Sequence, residues 1–294
     1  MPQIEANGIK LEYDENGAKD APPILLIHGL GAQMTLWPDE LIDALVARGF
    51  RVIRFDNRDI GLSQKMDGAK APGILKMVIW NKLGLRIKAP YTLSDMAADA
   101  VGLLDALGID RAHAVGASMG GMIAQRVALE HPDRVLSLTS IMSTTGSSKV
   151  PPAKKEAMQV LTQRPKSSDK DTVVAHGVKI LRTIEGRGFP QPERRYLEQA
   201  TGDFERSFYP PGMPRQLAAI MADGDRTEEL AKVTAPTLVL HGEDDPLVRC
   251  EGGHATAACI PGARLKTYPG MGHDFPLELI DEIADDIAEH ARAT

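Results

Sequence analysis

Short apolar runs recur along the chain: "APPILLIHG", "GFRVIRFDNRD", "AHAVGAS", "VLSLTSIM", "APTLVLHGEDD" and "ARLKTYPGMGH", most of them closing on glycine, aspartate or histidine. Apolar residues at consecutive positions over so few residues predict strands buried on both faces. Between the runs lie segments with helical spacing, "WPDELIDALVARG", "LSDMAADAVGLLDALGI" and the closing "LELIDEIADDIAEHARA". Strand alternating with helix predicts an α/β fold, a mostly parallel, doubly wound sheet whose ligand crevice opens at the C-terminal strand ends.

One stretch breaks the rhythm. From about Thr144 to Asp225 the chain is rich in Lys, Arg, Pro and Gly and carries helical patterns without a convincing strand. It divides the chain into a first core part (1–143), an inserted helical cap (144–225) and a second core part (226–294). Within the cap, "VPPAKKEAMQVLTQRP", "TVVAHGVKILRTIEG" and "PRQLAAIMADG" read as helices, and "RGFPQPE" and "YPPGMP" as turns. A shorter interruption, "GAKAPGILKMVIWNKLGLRIKAPY", groups Met77, Val78, Ile79 and Trp80, and two readings are open for it: a lid edge over the pocket, or core.

Composition narrows the class. An apolar content of 43% over 294 residues is enough to bury a full core. The formal charge of −6, with no long run of one sign, points to neither nucleic acid nor an anionic membrane as partner. The start "MPQIEANGIKLEYDENG" lacks a basic, apolar leader and no segment is long and apolar enough to span a bilayer, so a cytoplasmic protein is expected. Cys250 and Cys259 have no CxxC spacing and read as reduced thiols, with His254 between them a packing residue rather than a zinc ligand.

Candidate chemistry sits at the strand ends. In "AHAVGASMGGMIAQRVALEHP", Ser118 stands on a strand-to-helix turn tight enough to strain its backbone, and Gly116 and Gly120 occupy positions where a side chain would not fit. The turn would present the Ser118 hydroxyl above the strand tips, beside the amides of a helix N-terminus. A serine needs a base. His273, after a strand and a Gly-x-Gly turn, suits that task better than His113 and His241 within strands, His131 and His290 at helix ends, or His176 in the cap. His28 is read as a brace for its own loop. An acid to orient the ring is available in Asp244 or Asp245 directly after a strand. For a developing oxyanion, one donor is expected from the Met119 amide and a second from the Leu30 amide in "LLIHGLGAQ".

Five segments in order, "HGLG" (28–31), "DNRDIGLS" (56–63), "GASMGG" (116–121), "GEDDPLV" (242–248) and "PGMGH" (269–273), resemble the α/β-hydrolase superfamily. Within it, "LWPDEL", "VIRFDNRDIGLS" and "YPGMGHDFP" are similar to the aclacinomycin methylesterase type, serine esterases of polyketide methyl esters. The resemblance implies a triad of Ser118, Asp245 and His273 with Leu30 and Met119 as amide donors. It places the acid three residues after Gly242, and Pro246 adds a physical reason by disfavouring helical angles at Asp245. Arg58, Gly61 and Ser63 read as loop scaffolding. Where this chain has "HGLGAQ" the esterase type differs, and the cap shows no comparable match, so the reaction class carries over and the polyketide does not.

A carboxylic ester hydrolase acting on small to medium esters through an acyl-enzyme is therefore expected, with no metal or organic cofactor. Serine at 118 argues against dehalogenase or epoxide hydrolase chemistry, for which the resemblance would demand aspartate. Lactonase, amidase, perhydrolase or C–C bond hydrolase action on the same triad stays open, as does a non-catalytic ligand-binding protein; oligomeric state is not legible.

Overall fold

The computed structural model describes residues 2–294, apart from the side chains of Asn81 and Lys82. Its strands are β1 (Gln3–Ala6), β2 (Ile9–Asn16), β3 (Pro23–Ile27), β4 (Arg51–Phe55), β5 (Ala112–Ala117), β6 (Val135–Ile141), β7 (Thr237–Gly242) and β8 (Arg264–Tyr268). They form one eight-stranded sheet in the order β1-β2-β4-β3-β5-β6-β7-β8. Pairing is parallel from β4 through β8 and antiparallel for β1 with β2 and β2 with β4.

The helices in chain order are α1 (Asp39–Ala47), α2 (Ile74–Lys82), α3 (Leu93–Ala106), α4 (Met119–Glu130), α5 (Lys155–Thr162), α6 (Lys170–Ile184), α7 (Glu193–Arg206), α8 (Gly212–Asp223), α9 (Thr227–Leu230), α10 (Glu251–Cys259) and α11 (Ile280–Arg292). Two apolar layers explain why the central strands read as continuous apolar runs. Ile24, Leu26, Val52 and Val115 face a layer shared with α1 and α11. Their neighbours Leu25, Ile27, Ile53 and Ala114 face the opposite layer with α3 and α4. Side chains alternate across a strand, so a sheet covered on both sides must be apolar at every position. In α11 the buried residues Ile280, Ile283, Ala284, Ile287, Ala288 and Ala291 follow the helical repeat. Each buried isoleucine there contributes roughly 1.5–3 kcal/mol. The start of α3 is fixed by a reciprocal cap: the Asp95 amide donates to Thr92 Oγ1, and Asp95 Oδ2 accepts from the Thr92 amide at 2.7 Å.

The structure adds elements that the apolar runs did not predict. The N-terminal segment forms the β1–β2 hairpin, turned by Asn7 (φ 49°) and Gly8 (φ 74°) between the paired Ala6 and Ile9. Asn-Gly with both residues left-handed matches the twist of a two-residue hairpin. Between β6 and β7 the described chain holds α5 to α9 and no strand. Of these, α7 lay between the two predicted turns and had no predicted helix; it buries only Tyr196 and Ala200 and carries Gly202 near its end. The interruption after β4 fits neither of its two readings alone. In α2, Met77 is fully buried in a small cluster with Ile87 and Ala218, while Leu75 is 74% exposed. Among the described residues no helix is long and apolar enough to cross a membrane.

Candidate active site

The loops after β3, β4, β5, β7 and β8 meet at the C-terminal edge of the parallel strands. Ser118, between β5 and α4, has φ 58° and ψ −121°, a region that costs a non-glycine residue on the order of 1–3 kcal/mol. Its surroundings hold it there: the Ser118 amide donates to Ile141 O at 2.9 Å and Ser143 Oγ donates to Ser118 O at 2.8 Å. A Cβ on Gly116 would lie 2.1 Å from Gly120 O, one on Gly120 1.8 Å from Ile27 O, and one on Gly121 2.5 Å from Ser143 Cβ. Gly116 and Gly120 are therefore required by close backbone approach, and Gly121, in addition to the two expected, by the Ser143 side chain. Gly120 against Ile27 also fastens the first turn of α4 to the tip of β3.

That contact sets the loop after β3 beside the turn that carries Ser118. Met119 is the first residue of α4, so its N–H has no acceptor within the helix. Leu30 lies in the loop whose Gly29 approaches the serine so closely that a Cβ there would be 3.1 Å from Ser118 Cβ and 3.5 Å from its Oγ. The loop is braced from two sides. His28, fully buried, accepts the Asn57 amide at Nε2 (2.9 Å) and donates from Nδ1 to Gly29 O (3.0 Å), a pairing that fixes its tautomer. Burial pulls the His28 pKa below its ordinary value, which keeps the ring neutral. On the other side the Gly31 amide donates to Gln216 Oε1 of α8 at 2.9 Å, and Gln216 Nε2 donates to Arg58 O at 3.0 Å.

Asp245 and His273 are in direct contact, Oδ2 to Nδ1 at 2.7 Å. Asp245 Oδ1 accepts the amides of Leu247 and Val248, each at 2.8 Å. Burial alone would raise the Asp245 pKa; the His273 charge and the hydrogen bonds from His241 and His273 outweigh it and hold the carboxyl down at about 2. The adjacent Asp244 is half-exposed and acts through its backbone, its amide donating to Met271 O at 2.9 Å. Among the described residues the Ser118 hydroxyl makes no hydrogen bond to the His273 ring; such contacts are commonly long before substrate arrives.

The "DNRDIGLS" segment holds loops together. Asp56 is fully buried, accepts the amides of Met34 and Leu62 at 2.8 Å, and pairs with Arg206 of α7 at 2.7 Å. Gly61 (φ 55°) passes so close to Asp56 that a Cβ would fall 2.1 Å from its carboxylate. Arg58 forks onto Asp99 (2.6 and 2.7 Å), and Asp59 takes a two-pronged pair from Arg215 of α8 at 2.7 Å. Sequence reasoning missed Arg206, Arg215 and Gln216, because their partners lie more than a hundred residues away and no local motif announces them.

Comparisons with known proteins bear on the family and the fold. A family model described as "alpha/beta hydrolase fold" matches residues 22–278. Rhodomycin D methylesterase DauP of Streptomyces sp. (strain C5) is 30% identical, covering 92% of this chain and 91% of that protein. Rhodomycin D methylesterase DnrP of Streptomyces peucetius is likewise 30% identical, covering 92% and 91%. The enol-lactonase of Burkholderia xenovorans superposes with a TM-score of 0.71 at 24% identity, covering 99% of this chain and 100% of that one, a likeness of fold. With its sheet order, its strained turn and a family match over most of its length, the chain belongs to the α/β-hydrolase family and is a hydrolase.

Proposed function

We propose that the protein hydrolyses carboxylic esters by nucleophilic catalysis, with Ser118 as nucleophile, His273 as general base and acid, Asp245 as the group that orients the ring, and the Leu30 and Met119 amides as oxyanion donors. The observation that carries this reading is the 2.7 Å contact of buried Asp245 with His273, on strand ends shared with a serine held in strained backbone. Ionised Asp245 accepts a proton-bearing Nδ1, which leaves Nε2 free to take the Ser118 proton as the oxygen attacks the carbonyl carbon. The carbonyl oxygen becomes an anion between the two amides. Collapse expels the alcohol, which takes the proton from His273, and the acyl group stays on Ser118. Water, deprotonated by the same ring, attacks the acyl-enzyme and releases the acid.

The helices between β6 and β7 act in this proposal as a cap that shapes substrate choice. The two methylesterase relatives favour esters of a small alcohol, and the acyl part is of small to medium size. The test is hydrolysis of p-nitrophenyl acetate and butyrate together with a lactone panel. Ser118→Ala is expected to lower kcat by ~10⁴–10⁶ without loss of fold, and a fluorophosphonate probe is expected to label Ser118. Turnover unchanged in the variant, or labelling elsewhere, would reject the assignment; activity confined to lactones would move the substrate class and keep the triad.

A further inference from the structure

The charge of the whole chain conceals a local reversal. Between Asp67 and Asp95 there is no acidic residue, and the cations are Lys70, Lys76, Lys82, Arg86 and Lys88, in a chain whose formal charge is −6. The same stretch carries α2, and there Leu75 (74%), Val78 (38%), Ile79 (48%), Leu83 (66%) and Leu85 (52%) are exposed. These five are half of the strongly exposed large apolar side chains among the described residues. Their spacing is that of a helix face. Leu75, Val78, Ile79 and Leu83 recur at i, i+3, i+4 and i+8, while Met77 turns inward onto α8 and Ile74 and Trp80 are only partly buried beside it. Lys70, Lys76, Arg86 and Lys88 are exposed around the apolar face, and Lys76 Nζ lies 4.4 Å from the centre of the Trp80 ring.

We infer that α2 and its flanks are a docking surface for an anionic lipid interface. A clustered apolar face this open costs free energy in water unless something covers it. The surrounding charge selects among coverings. A second copy applied through the same face would bring its cations against the same cations of this chain, Lys70, Lys76, Arg86 and Lys88 among the described side chains, which disfavours it. Apolar side chains are exposed on a short helix with long-stemmed cations around them. That is the form that enters a headgroup layer, where the apolar groups sink to the acyl boundary and the cations remain at the phosphates. Docking needs no change in the core, since Met77, Ile87 and Ala218 already fix the inner face of α2. The inference is independent of the chemistry proposed for Ser118.

The experiment uses the full chain with phosphatidylcholine vesicles, with and without phosphatidylglycerol. Co-sedimentation is expected only with phosphatidylglycerol present, weakening as salt is raised. Trp37 is buried at 1% exposure, so a blue shift of emission and quenching by brominated lipid are expected to come from Trp80 and to vanish in Trp80→Phe. Leu75→Glu with Ile79→Glu, and separately Lys76→Gln with Arg86→Gln, are each expected to weaken binding by about tenfold or more while thermal unfolding stays cooperative near the parent Tm. Binding that ignores lipid charge, binding equal in parent and variants, or no binding at all would overturn the inference. So would a stable oligomer that Leu75→Glu with Ile79→Glu takes apart, which would assign the face to a second copy.

Discussion

Ser118 and Asp245 are each held by groups of the surrounding strands and loops rather than by each other. Ser118 keeps its φ of 58° because neighbouring strand and loop atoms take its amide and carbonyl, and Asp245 keeps one oxygen occupied by two amides so that the other is aimed at the ring. Successive residues leaving a strand point to opposite sides, so of two adjacent aspartates only one faces His273. Asp245→Asn is expected to lower kcat by ~10⁴, because an amide favours the wrong ring tautomer. Asp244→Asn should leave kcat close to the parent, since its amide contact to Met271 O survives the change. Parallel kinetics on p-nitrophenyl acetate decide between them, and a larger loss at Asp244 would reverse the assignment. With its carboxyl held at about 2, Asp245 stays ionised through mildly acid pH. Loss of activity above about pH 4 is therefore expected from groups other than Asp245, and a pH-rate profile whose acid limb tracks a group near 2 would contradict this.

At the level of elements, legibility followed burial. The five strands from β3 to β7 were readable because both of their faces are covered, which leaves runs with few polar residues, whereas the edge strand β8 was readable chiefly from the Gly-x-Gly-His that follows it. The β1–β2 hairpin was not, because β1 is an exposed edge with one buried residue in four and β2 interleaves buried positions with charge; the Asn7-Gly8 pair was the available signal. The α7 helix escaped notice for a similar reason, having two buried residues in fourteen. The serine, histidine and aspartate stand out because each sits in a short motif whose glycines are needed locally. Gln216 has no such motif: its partner Gly31 is 185 residues away, and only the folded arrangement of α8 on the β3 loop reveals it. Gly31 (φ 67°) leaves the loop no side chain to anchor it, so Gln216 holds the peptide beside the Leu30 amide. Gln216→Met keeps the volume and removes both hydrogen bonds. It is expected to lower kcat by ~10-fold or more with KM little changed, as a displaced oxyanion donor would. A rise in KM at constant kcat would show instead that Gln216 shapes the ground-state pocket.

Over the whole molecule, the helices between β6 and β7 are joined to the sheet layer by many contacts, and two groups of them bear on the site. One is the pair of buried ion contacts from Arg206 to Asp56 and from Arg215 to Asp59. The other is the end of α6, where the His273 amide donates to Ile184 O at 2.8 Å and the Gly188 amide to Gly270 O at 2.9 Å. Here a Cβ on Gly186 would lie 2.0 Å from Gly270 O, so the two segments are in backbone contact. Asp274 lies in this joint, its Oδ1 accepting the amides of Gly272 (3.0 Å) and Gly186 (3.3 Å). Burial raises its pKa to about 6 against the opposing pull of those two amides. An unfolded aspartyl carboxyl titrates near ~3.9, so between roughly pH 4 and 6 the folded chain binds the proton that the unfolded chain has lost. Folding stability then falls as pH rises through that interval and stays lower above it. At ~1.4 kcal/mol per pH unit of difference, the ionised form costs up to about 3 kcal/mol at neutral pH. Asp274→Asn keeps an oxygen for both amides and removes the charge. Denaturant unfolding is expected to show the variant more stable than the parent at about pH 8, with the gap closing below about pH 4, where the parent carboxyl is protonated in both states. A variant less stable at about pH 8 would mean that the carboxylate gains more from the neighbouring His273 than burial takes away, and the joint would then be held by charge rather than by its backbone contacts.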